Sequence, residues 1–86
     1  MQLTRHIQID SIDTFRGDEE IRRSIRQIKE LLDGKGRMTF RFSGLLPSVR
    51  IMVEAPDMQQ CERVMDELIN AVKRRDHYLG RIHGWQ

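Results

Sequence analysis

Cysteine occurs once, at Cys61, in a chain of 86 residues. A lone cysteine excludes a disulfide framework, a cysteine-built zinc site and an intramolecular redox pair, and it makes a reducing compartment the default. Proline occurs twice and no segment is rich in proline or serine. No linker is marked, and residues 1–86 are expected to form one domain. No apolar run approaches the ~20 residues that a membrane helix needs. The opening Met1-Gln2-Leu3-Thr4-Arg5-His6 has no apolar stretch that could be a signal peptide. A cytoplasmic protein with no membrane contact is expected. Internal repeats and low-complexity tails are also missing. At this length there is little room for a large enzyme cleft with a core beneath it.

What is present is an ordinary globular balance, with 38% hydrophobic and 33% charged residues and a formal net charge of +2. Within the 15 basic residues, twelve are arginine and three lysine. Coding bias explains such a skew as well as a surface that meets RNA or an acidic partner, since arginine suits bidentate and planar recognition.

The hydrophobic periods lay out the elements. Ile7 and Ile9 alternate with Gln8 and Asp10, which predicts a short strand, and Ser11 to Gly17 reads as a polar connection. Ile21, Ile25, Ile28 and Leu32 recur at helical spacing, with Asp18 as N-cap and Gly34 and Gly36 as terminators, so a helix is predicted over about 18–33. Met38, Phe40 and Phe42 alternate with Arg37, Thr39 and Arg41. Val49, Ile51 and Val53 alternate with Arg50, Met52 and Glu54. These are two strands joined by a hairpin, Ser43-Gly44-Leu45-Leu46-Pro47-Ser48. Asp57, followed by Gln60, caps a second helix, and Cys61, Val64, Met65, Leu68, Ile69 and Val72 form its apolar stripe to about Asp76. Leu79-Gly80 closes that helix, and Arg81 to Trp85 is a short last strand with Ile82 pointing inward.

The order β-α-β-β-α-(β) predicts an α+β fold, a two-layer sandwich of the ferredoxin-like split-βαβ kind with both helices on one sheet face. The first strand is expected to run parallel to the third. Phe40 and Phe42 are expected under the helices. The open face then offers Arg37, Thr39, Arg41, Arg50, Met52 and Glu54.

No converging set of titratable groups stands out, so no catalytic residue, metal ligand or cofactor is expected. His77 and His83 are six apart across a helix end, which is no metal-ligand spacing. Cys61 falls on an apolar stripe and reads as a buried hydrophobe. Glu19 with Arg23, and Arg26 with Glu30, read as i,i+4 pairs. Gly34-Lys35-Gly36 lacks the pattern of a phosphate-binding P-loop. An enzyme is the weakest of three classes. The second is a nucleic-acid module using Arg37 and Arg41 on the open sheet face, with the basic run Lys73-Arg74-Arg75, although the helix dipole also accounts for that run. The third is a protein-interaction domain. Leu45 and Leu46 beside Pro47 at a hairpin tip could plug a partner's pocket or fold back over the sheet end, and Trp85 could cap the core or anchor a partner.

The stretch from Phe40 through Val72 resembles the C-terminal, gamma-subunit-binding domain of the alpha subunit of archaeal and eukaryotic translation initiation factor 2. The corresponding residues are Gly44 and Pro47, then Arg50-Ile51-Met52-Val53-Glu54-Ala55-Pro56-Asp57, then Cys61-Glu62-Arg63-Val64-Met65. Upstream, Ile9-Asp10-Ser11-Ile12 before an amphipathic helix fits the same layout. The hairpin is one residue longer than in that family, Val49 stands where an aromatic is usual, and Met58 replaces a tyrosine. A weaker similarity, through Ile28 to Gly34 and Met38 to Gly44, is to the C-terminal domain of bacterial initiation factor 3. The first resemblance implies a non-catalytic module of translation initiation. It would dock on a GTPase subunit and assist initiator tRNA binding. The matching positions are mainly structural; the exposed hairpin and the arginine face are what point to Leu45, Leu46, Pro47 and Arg50 as the partner-facing residues, with Arg37, Arg41, Lys73, Arg74 and Arg75 as candidate contacts to tRNA or rRNA. The alternative is a stand-alone RNA- or ribosome-binding domain.

Overall fold

A computed structural model of the chain describes residues 1–82. The elements are β1 (Gln2–Ile9), α1 (Ile12–Gly17), α2 (Glu19–Leu32), β2 (Arg37–Ser43), β3 (Ser48–Glu54), α3 (Met58–Arg74) and β4 (Tyr78–Arg81). The four strands form one sheet in the order β2-β3-β1-β4, with every neighbouring pair antiparallel. The helices cover one face, which gives the expected α+β two-layer sandwich.

The strand directions correct one expectation. β1 is antiparallel to β3, with Leu3 opposite Val53 and Ile7 opposite Val49. The β2–β3 hairpin reverses the chain and places β3 between β1 and β2. It is therefore β2 that runs in the direction of β1, and the two never touch.

Both predicted N-caps are in place. The Asp18 carboxylate accepts from the backbone N–H groups of Glu20 and Ile21 at 2.9 and 3.0 Å, and Asp57 accepts from Gln60 at 2.8 Å. The inward residues of β3 and the stripes of α2 and α3 meet in one core of Ile7, Ile9, Ile21, Ile28, Leu32, Val49, Ile51, Val53, Val64, Met65, Leu68 and their neighbours. Cys61 is fully buried there. The two i,i+4 ion pairs expected on α2 do not form. Ile25 is only half-buried, and Leu31 faces water.

Several boundaries differ from the pattern, each for a local reason. The connection 11–17 contains α1. This helix is too short to show a period and contributes a single buried side chain, Phe15, to the core. Ser11 caps it by accepting from Thr14 at 3.3 Å. β1 starts at Gln2, five residues earlier than Ile7, because pairing with β3 holds it although Arg5 interrupts the apolar alternation. α3 ends at Arg74 and not near Asp76. Its stop is Asp76 itself, in the left-handed region at φ 61°, a conformation that aspartate tolerates better than most side chains. β4 consequently occupies 78–81, and Ile82 lies beyond it, held by its N–H to the His6 carbonyl at 2.8 Å. Residues 83–85 of the expected last strand, with His83 and Trp85, lie outside the described residues. Phe40 and Phe42 lie on the helix side as expected, Phe40 packed against the core and Phe42 edge-on to Phe15 at 5.8 Å, but the cover is partial: Phe40 is half-buried and Phe42 partly exposed at the outer strand β2.

One polar knot ties the helical layer together. The His77 ring contacts Asp10 through Nδ1 at 3.1 Å and Asp18 through Nε2 at 3.0 Å. Arg75 Nε donates to the same Asp18 carboxylate at 3.0 Å and lies 3.3 Å from Glu20. Burial alone would lower the His77 pKa, but the hydrogen bonds to the two carboxylates outweigh it and hold the ring above its ordinary 6.5. Burial alone would raise Asp18. The Ile21 N–H, His77 and Arg75 overcome this and hold it at about 2.

These shifts fix a pH window. The His77 contribution is complete below its unfolded value of 6.5 and is lost as pH rises through the higher folded value. The Asp18 contribution is complete above 3.8 and is lost as pH falls toward 2. Thermal melting is therefore expected to be flat between about pH 4 and 6 and to decline above that from this source. His77→Gln should flatten the decline and cost on the order of 1–2 kcal/mol near pH 5.5, read by urea denaturation. Phe15→Ala should cost about 3–5 kcal/mol in the same assay, because α1 has no other buried anchor.

Candidate functional site

The open face of the sheet can be read in rows across the strands. At one end Arg37 stands opposite Glu54, which stands opposite Gln2. Arg37 Nε and Glu54 form an ion pair, and Gln2 donates to the same carboxylate at 3.5 Å. The Arg37 hydrogen bond, followed by that of Gln2, holds the Glu54 carboxyl below its ordinary range. Four residues along the strands the composition changes. Arg41 stands opposite Arg50, and Arg50 stands opposite His6. The next row is Ser43, Ser48 and Gln8.

Like charges directly opposed on neighbouring strands are unfavourable. At the Arg37 end an acid relieves that cost. In the next arginine row Arg41 and Arg50 face each other across β2 and β3. Two hollows share this arginine pair. One, of about 790 Å³, extends over Thr39 and Met52 toward Arg37. The other, of about 490 Å³, lies below the hairpin, with His6, Ser43 and Ser48 on its polar side and Phe42, Leu46 and Ile82 on its apolar side. Among the described residues, no carboxylate lines either hollow.

His6 Nε2 lies 3.1 Å from the buried Ser48 hydroxyl. Burial, aided by the Arg50 charge, lowers the His6 pKa below its ordinary value, so the ring is neutral at pH 7. Among the described residues that line the hollow, the charged groups are Arg41 and Arg50, and Ser43 lines it beside them. Guanidinium forks and hydroxyls are the donors that a compact oxyanion such as phosphate accepts from. Among the described residues, no group of three His, Cys, Asp or Glu could hold a metal ion, and no helix is long and apolar enough to cross a membrane.

The residues singled out from the sequence are dispersed. Leu45 is wholly exposed at the hairpin tip, while Leu46 is half-exposed and leans over the smaller hollow. Pro47 is tied to β1, its carbonyl accepting from Ile9 N–H at 3.0 Å. Arg50 belongs to the arginine row. Arg37 is paired with Glu54, and Arg41 faces the hollows. Lys73, Arg74 and Arg75 sit on the helical layer, away from that face. There Lys73 lies 5.0 Å over the Tyr78 ring and Arg75 is held by Asp18 and Glu20. The basic residues therefore form no single surface. His6, Ser43 and Ser48 went unremarked in the sequence because only strand register places them beside the arginines.

Comparison with known proteins accounts for the chain differently from its apparent resemblance. Residues 7–71 match the family model described as phosphoglucomutase/phosphomannomutase, C-terminal domain. A phosphoglucosamine mutase of Brevibacillus brevis is 35% identical over 74 residues, covering 86% of this chain and 16% of that protein. One from Lachnospira eligens is 28% identical over 76 residues, covering 88% and 17%. One from Erythrobacter litoralis is 40% identical over 55 residues, covering 64% and 12%. The chain thus spans about a sixth or less of the length of the curated relatives it matches.

This match overturns the translation reading. The likeness to the initiation factor alpha subunit rested on a hairpin, an Ala-Pro-Asp turn and a helix opening, and those recur wherever a strand hands over to a capped helix. With it fall the GTPase-subunit partner, the tRNA or rRNA contact, the stand-alone RNA-binding alternative and the expectation of a module outside enzymes. The chain belongs to the family of phosphoglucomutase/phosphomannomutase C-terminal domains.

Proposed function

We propose that residues 1–86 act as one domain that holds the phosphate group of a phosphorylated hexose within a cytoplasmic phosphohexomutase. Arg41 and Arg50 grip the phosphate, and Ser43 donates to it from the hairpin. The observation that carries this reading is the Arg41–Arg50 pair, directly opposed across β2 and β3, with both guanidinium-bearing side chains lining the two hollows of the open face. A bound dianion bridges two cations held side by side by strand register. The relatives are named for a phosphorylated sugar, phosphoglucosamine, and for its isomerisation by a mutase.

The division of labour follows from what the surface offers. A phosphate held by two guanidiniums is fixed in position and orientation, and positioning of a substrate contributes to rate by turning an encounter into an intramolecular step. In this reading the remainder of such an enzyme supplies the reacting groups, and this surface keeps the far end of the sugar phosphate still.

Titration of the 86-residue chain with inorganic phosphate, followed by amide chemical shifts, should move Ser43, Arg50 and their neighbours. Arg41→Ala, an exposed position, should weaken binding about tenfold or more. Added salt should weaken it as well. Shifts confined to the α3 end, or none at all, would overturn the proposal.

A further inference from the structure

Among the described residues the outer strand β2 has one neighbour, β3, and its register with that strand runs unbroken from Arg37 to Ser43. Its other edge therefore offers backbone N–H and C=O groups to a further strand. Proline, lysine and bulges commonly guard such an edge, and β2 has none of them. Beside the edge, on the helix side, lies a hollow of about 220 Å³. Phe40, Phe42 and Ile25 are its apolar lining, and Arg16, Arg22 and Lys29 are its cations. Phe42 packs edge-on against Phe15, and the Arg16 guanidinium lies 5.6 Å from its ring centre. Arg22 and Lys29 are exposed and take part in no ion pair among the described residues. No carboxylate is among the described residues that line the hollow.

We propose that this flank docks an extended acidic segment of another polypeptide, which pairs with β2 as a fifth strand. The inference goes beyond the phosphate reading and does not depend on it. Backbone pairing at an open edge supplies affinity, and alternate side chains supply specificity. Every second residue of the incoming segment meets the hollow. An apolar residue there covers Phe40 and Phe42, and acidic residues two places to either side face the cations. Charge decides among the occupants. A second copy of this chain would bring Arg22, Lys29 and Arg41 against their like, which opposes pairing. The chain's own His83, Gly84, Trp85 and Gln86 carry no acidic side chain. An acidic segment is the occupant that the cations of this flank attract.

The probe is the peptide acetyl-Glu-Thr-Val-Thr-Glu-amide, titrated into the 86-residue chain and followed by amide chemical shifts. Shifts should run along β2 and reach Ile25 and Lys29. At saturating peptide, amide exchange along β2 should slow, as new ladder bonds require. The same peptide with lysine in place of both glutamates should bind roughly fivefold more weakly or worse. The double variant Arg22→Glu with Lys29→Glu should invert that preference. Both positions are exposed, so its melting temperature should stay close to that of the wild type. Equal binding of the two peptides, no binding of either, shifts confined to other elements, or an unchanged preference in the variant would overturn the proposal. Self-association of the chain with β2 amides protected in the absence of peptide would assign the edge to a second copy and overturn it as well.

Discussion

Among the described residues the sheet is covered on one side only, and this constraint governs the rest of the fold. A sheet with a single covered face must alternate strictly, because each strand sends every second side chain to water. β3 shows the result most clearly. Val49, Ile51 and Val53 are fully buried, while Arg50, Met52 and Glu54 between them stand on the open side. The open side can then carry charge at low cost, because charged side chains there need not be taken out of water. A third layer would have required Arg41 and Arg50 to be buried or replaced. The arginine row can therefore stand on the face that the helices leave open.

The covered side is held by packing and by one carboxylate. Asp18 caps α2, accepts from His77 at the entry to β4 and accepts from Arg75 at the end of α3. Such a buried, multiply bonded acid is favourable only while all its donors are present, so removal of one leaves a charge poorly compensated. The arrangement links the start of α2, the end of α3 and the entry to the outer strand β4, alongside the apolar contacts of Phe15 and Tyr78.

Much of the architecture was legible in the chain. The periods at Ile21, Ile28 and Leu32, at Cys61, Val64 and Leu68, and at Val49, Ile51 and Val53 specified two helices and a hairpin, and Asp18 and Asp57 announced their caps. The failures have local causes. α1 is a turn and a half and cannot display a period. Asp76 ends α3 where a glycine was sought. Arg5 breaks the alternation of β1. The familial resemblance failed for another reason: Gly44, Pro47, Ala55-Pro56 and Asp57 are dictated by turn and cap geometry, and such positions say how a chain bends, not what it binds.

The sequence by itself determined the two-layer α+β class, the buried state of Cys61 and the polar character of one sheet face, because each follows from spacing within a single element. The tertiary structure alone decided which arginines act together. Arg37 and Arg41 are four residues apart on one strand and look equivalent in the chain, yet register gives one a glutamate and the other an arginine. Arg75 reads as part of a basic run and is consumed by Asp18. Register and long-range pairing join residues distant in the chain, and only their three-dimensional placement separates an arginine set against an acid from one set against another arginine.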